Sequence, residues 1–268
     1  MDSSDEEEPL ALAAELGGTG AAVRWEHLTW PEAAALVTQR KAVIIPVGAT
    51  EQHGPHLPLC VDTEICNAVA LEVSALTGVP VVPPVGYGVS RSHGGFAGTL
   101  SLRPETLIAV MADLIESLHD SGIRQFILLN GHMWNSGSMD VTAEKLRVKY
   151  PDARVRALAY VTMYPGPEVK AHVQYGRGLM HANYFETSVM LHLHPELVRL
   201  DRATSHADVD SFWDYRMDQV SETGVWGRRV EEASAENGRA EFERCVLTTA
   251  RAVAAAVREP WPDPTHRP

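Results

Sequence analysis

The sequence predicts an α/β domain whose mostly parallel sheet is covered by helices on both faces. Short, β-branched apolar runs bounded by turn residues alternate along the chain with longer amphipathic segments. The amphipathic segments each carry one apolar stripe at helical period, which suits packing onto a sheet. Clusters of polar residues follow directly after the apolar runs, where open α/β sheets bind their ligands.

In chain order the strand candidates are 42–48 (AVIIPVG), 79–85 (VPVVPPV), 125–131 (QFILLNG) and 154–161 (RVRALAYV). A helix is expected to start near Asp62. Over 104–118 a second stripe runs through Leu107, Ile108, Met111, Leu114, Ile115 and Leu118, with Pro104 suited to the first turn. Met139, Ala143, Leu146 and Tyr150 mark a third helix. Phe242, Val246, Thr249, Ala250, Val253 and Val257 mark the last. Residues 1–24 read as an acidic, Ala/Gly-rich flexible leader, and 25–268 as one domain without repeats or a long linker.

Composition narrows the function classes. A net charge of -12 argues against nucleic acid as a partner, because phosphate binding needs a basic face. No run approaches the length of apolar chain that spans a membrane, and the acidic N-terminus is unlike an export signal, so a cytoplasmic protein is expected. The 3 cysteines are too few and too irregularly spaced for a disulfide framework.

The chemistry concentrates in GATEQHGPHLPLCVDTEI (48–65) and LLNGHMWNSG (128–137). Glu51 and His53, two apart in an extended segment, point to one side, while Asp62 opens the following helix and His132 follows another strand. Imidazole with carboxylate and no thiolate is a ligand set for a divalent ion of the Zn, Mn or Fe type. Gathering carboxylates in a cleft without a cation costs several kcal/mol each. Simpler readings stand beside this one: Asp62 as a helix cap, and His132 as a hydrogen-bonded loop residue.

These two blocks, with HGGFAGTLSLRPETL (93–107), HANYFETSVMLHLHPELV (181–198) and TGVWGRRVEEASAENGRAEFE (223–243), resemble the creatininase family of amidohydrolases in one order from about residue 25 to 258. The resemblance implies a three-layer α/β/α sandwich, often assembled as a hexamer. It also implies a metal-dependent hydrolase of cyclic amides and other non-peptide C–N bonds in small molecules. Glu51, Asp62 and His132 match the ligands of one metal. His53 and Asp62 match ligands of a second, with Asp62 bridging, so Zn or Mn (or Fe) is expected as one or two ions. His181 matches the histidine that protonates the leaving nitrogen, and Ser92 and His93 lie where family members contact substrate.

The departures from the family pattern lie at the second metal and the pocket. Trp134 and Tyr184 occupy the two positions from which family members offer an acid to that metal, leaving Glu186 as a substitute ligand or as a partner for backbone donors at a helix start. Met180 and Arg177 replace an acid and a substrate-stacking Trp. Trp134 suits a pocket wall, and Arg177 suits an anionic group on the substrate. A mononuclear enzyme of another reaction class and a folded, non-catalytic member are the competing readings.

Overall fold

The structure, a computed structural model, describes residues 13–160, 181–206 and 214–261. Its centre is a parallel sheet of β1 (Ala42–Val47), β2 (Gln125–Asn130) and β3 (Arg154–Ala159) in the order β1-β2-β3. The register pairs Val47 with Asn130 and Asn130 with Ala159, so the three carboxyl ends are flush. Every residue of β1 and β2 is buried, as expected for strands covered on both faces.

Helices form the two outer layers. Val43, Ile45, Val47, Phe126 and Leu128 face α1 (Trp30–Gln39), α3 (Pro104–Asp120) and α4 (Ser136–Lys149), contributing Val37, Leu107, Met111, Ile115, Met139 and Leu146. The alternate strand residues, Ile44, Ile127 and Leu129, face α2 (Val61–Thr77), α5 (Tyr184–Leu193) and α7 (Ala235–Arg258). Period two along the strands thus divides the core between two helical layers. A single turn, α6 (Met217–Val220), lies outside them. This is the three-layer α/β/α sandwich.

Three sequence expectations shift. Segment 79–85 is not a continuous strand. Ile44 N donates to Pro80 O, Val82 N to Ile44 O, Val85 N to Pro46 O and Gly48 N to Val85 O, so it follows β1 as isolated parallel bridges. Pro80, Pro83 and Pro84 have no N–H, which interrupts the ladder. The last helix starts at Ala235, where Ser234 accepts from Asn237 N. Its first two turns carry too few apolar residues to show a stripe. Finally, part of the segment read as a leader is attached to the body: Ala13 and Leu16 are buried in the core, and Gly20 N donates to Ala75 O.

Candidate metal centre

The flush strand ends open directly onto the polar residues. After β1 the chain turns back on itself: Glu51 N donates to Leu59 O, and His53 pairs with Leu57 as an antiparallel bridge. This returns the chain to α2 beside Glu51. Cys60 is the N-cap and offers no side-chain cap, while Asp62 sits in the first turn with its carboxylate turned inward. The cap reading of Asp62 therefore gives way to a role inside the cluster. After β2, Asn130 Oδ1 accepts from His132 N. Gly131 passes so close to α2 that a Cβ would lie 2.4 Å from Asp62 O and 2.6 Å from Cys66 Cβ. Glycine here lets His132 and Asp62 meet.

Two triads result, sharing Asp62. In one, His132 Nδ1 lies 3.0 Å from Asp62 Oδ2, and His132 Nε2 lies 3.4 Å from Glu51 Oε2. In the other, His53 Nε2 lies 3.4 Å from Asp62 Oδ1 and 3.9 Å from Glu186 Oε1. A third grouping of Glu51, His53 and His181 overlaps both, with His181 Nδ1 3.3 Å from Glu51 Oε1. His93 Nδ1 stands 3.5 Å from the same oxygen.

Hydrogen bonds behind the rings decide which nitrogens face inward. His53 Nδ1–H donates to Glu51 O (3.0 Å) and His132 Nε2–H to Val89 O (3.0 Å). Both bonds leave an imidazole lone pair directed at Asp62, as in histidines oriented for metal binding. Among the described residues, both oxygens of Glu51, Asp62 Oδ2 and His53 Nε2 are buried without a hydrogen bond of good geometry. Bare carboxylates and lone pairs facing one another at this depth repel unless a proton or a cation lies between them. The donor set, N and O without S, fits a divalent ion of the Zn or Mn type.

The titration of these groups follows from the same crowding. Burial pushes Glu51 upward, with Asp62 adding to the rise, and burial brings Glu186 up to about 7. Burial alone would lower His53 and His132. The surrounding carboxylates outweigh it, raising them to about 10 and about 9. Asp62, opposed by burial but flanked by these two rings, is held well below its usual range. Burial, then the neighbouring imidazoles, pushes His181 well below its ordinary value and His93 down to about 3, so both are neutral.

Glu51, His53, Asp62, His132, His181, His93 and Glu186 all converge on this cluster. Glu186 is shared between the helix start and the cluster. Its Oε2 accepts from Asn183 N in a capping box at the start of α5, while Oε1 faces His53. Tyr184, at the family's acid position, lies under the Arg229 guanidinium, 5.6 Å from its ring centroid. Trp134 is half-buried and packs with Phe96 and Val220 against Met217 and Trp226. Ser90 rather than Ser92 reaches the cluster, 3.3 Å from His132 Nε2. Arg177 and Met180 lie outside the described residues.

Sequence reasoning missed Gln52. Its Nε2 lies 2.9 Å from His93 Nδ1, 2.9 Å from His181 Nε2 and 3.1 Å from Gly224 O, while its Oε1 accepts from Gly54 N. The signal was in the glycines: Gly54 and Gly224 both have positive φ, and a Cβ on Gly224 would lie 2.1 Å from Gln52 Oε1.

Residues 26–253 match the family model Creatininase, described as creatinine amidohydrolase. The chain belongs to the creatininase family. Creatinine amidohydrolase of Pseudomonas putida is 35% identical over 256 residues, covering 88% of this chain and 96% of that protein. The mycofactocin precursor peptide peptidase of Mycobacterium tuberculosis is 34% identical over 229 residues, covering 78% and 85%. Two solved structures align over 89% of this chain, each with a TM-score of 0.76. They are an Mn creatininase (31% identity, 100% of that chain) and a mutant creatininase of Zn-Zn type (32%, 99%). As a creatininase-family member, this chain is a hydrolase; the Mn and Zn forms are those of its solved relatives, and its own Glu51, His53, Asp62, His132, His181 and Glu186 form groups that could hold a divalent ion.

Proposed function

We propose that this creatininase-family chain hydrolyses a C–N bond of a small cyclic or heterocyclic amide, with a dinuclear metal centre at the strand ends. The supporting observation is the pair of triads joined by Asp62. Glu51, Asp62 and His132 would hold one cation, and His53, Asp62 and Glu186 the other. In the absence of the acids usual at Trp134 and Tyr184, Glu186 Oε1 is the carboxylate oxygen that completes the second set.

Divalent cations held there supply the Lewis acidity that polarises a carbonyl and brings a water's pKa to about 7. The chain supplies the rest. His181, neutral at rest, would protonate the leaving nitrogen after taking up the proton released by the attacking water, and Gln52 Nε2, 2.9 Å from His181 Nε2, holds the ring with Nδ1 toward Glu51. Trp134 and Phe96 offer an aromatic wall that suits a flat ring.

The test is a screen of lactams, imidazolones and formamides with Mn- or Zn-loaded protein. Hydrolysis of a cyclic amide by wild type, lost in His181→Ala, supports the reading. Failure to turn over any of them with cations bound contradicts it.

A further inference from the structure

We propose that His56 is a positioning residue that fixes Glu186 in the second triad, acting through Thr187; this rests on the dinuclear reading. Neither residue belongs to the two triads. His56 shares a loop with His53, and Thr187 follows Glu186 on α5, so a bond between them ties the two ligand-bearing segments together.

The direction of that bond is fixed. Thr187 Oγ1 donates its one hydrogen to Asn183 O at 2.7 Å. It must therefore accept at 2.9 Å from His56 Nε2–H. His56 is then the neutral Nε2–H tautomer, and its buried Nδ1 has no hydrogen-bond partner among the described residues. Both side chains are deeply buried, with exposures of 1% and 0%, so water does not compete for the bond. Asn183, the carbonyl that Thr187 holds, is the N-cap whose Oδ1 accepts from Glu186 N and whose N–H donates to Glu186 Oε2. The chain of bonds thus runs from the His53 loop to one carboxylate oxygen of Glu186 and leaves the other facing His53. The His56 carbonyl also accepts from Arg199 N, beyond the far end of α5, so the loop grips both ends of that segment.

Outer partners of this kind tune metal affinity by about 10–100-fold. The test is titration of the full-length apoprotein with Mn or Zn against a chromophoric chelator, comparing wild type with Thr187→Val, His56→Leu and Thr187→Ser. The expected result is that Thr187→Val and His56→Leu, which has no N–H to donate, weaken one of the bound cations by about 10–100-fold and leave the other unchanged. Thr187→Ser, which keeps the hydroxyl, should stay near wild type. If Thr187→Val fails to fold, His56→Leu carries the comparison. Two unchanged affinities in a variant lacking the bond overturn the proposal while the dinuclear reading survives. Equal weakening of both cations overturns it in favour of a general packing role. A wild type that binds a cation in the Glu51 triad alone overturns both readings together.

Discussion

His132 Nδ1 lies 3.0 Å from Asp62 Oδ2, although one residue follows β2 and the other sits in the first turn of α2. The approach depends on Gly131, where any side chain would collide with α2. It also makes Asp62 the one carboxylate common to both triads.

Asp62→Asn should therefore abolish both cations, whereas Glu51→Gln should remove only that of its own triad. Elemental analysis after loading and desalting distinguishes the two variants. Equal metal loss in both would mean that the triads are not separable.

Proton competition gives the next prediction. In the metal-free protein His53 and His132 are raised to about 10 and about 9, so near neutrality both carry a proton that a cation must displace. Apparent metal affinity should fall as pH is lowered and level off only above those values. The same shifts have a stability consequence for the metal-free fold. The contribution of these two rings is complete below their unfolded value of 6.5 and is lost as pH rises through 9 to 10. Asp62, shifted the other way, contributes above its unfolded value and loses that contribution as pH falls. Chelator competition at about pH 6 and about pH 8 checks the affinity arm; equal affinities at both would contradict it.

Gly224→Ala tests the setting of His181. At a φ of +76, with its Cβ 2.1 Å from Gln52 Oε1, the new methyl must displace the amide that faces His181 and His93. Misplacement of this kind can cost about 100-fold in rate. We expect kcat to fall on that order with metal content retained. A full rate in a folded variant would remove Gln52 from the account.

Leu128→Ala probes the core beneath the site. Leu128 is fully buried in the central strand, facing the layer of α3 and α4. The truncation should cost about 2–5 kcal/mol, read as a lowered midpoint in denaturant with an unchanged slope.

The strands β1 and β2 and the helix α3 were legible because their patterns are dictated by burial on two faces or on one stripe. Segment 79–85 was misread because apolar runs report burial, not hydrogen bonding, and its prolines break the ladder without altering its apolar character. The inner residues Glu51, His53, Asp62 and His132 could be read from residue type and position after strands. Gln52, Ser90, His56 and Thr187 could not, since what selects them is contact across long sequence separations: Gln52 meets His181 across 129 positions and His56 meets Thr187 across 131. Glu186 was legible as a carboxylate at a helix start, but its division between cap and cluster required the geometry.

Metal content per chain, measured by elemental analysis on wild type loaded with Mn or Zn and freed of excess, tests the central claim most directly. The account predicts a cation for each triad. Stoichiometric binding of a single cation would leave Glu186 as a cap alone, and the absence of any bound cation would contradict the metal centre altogether.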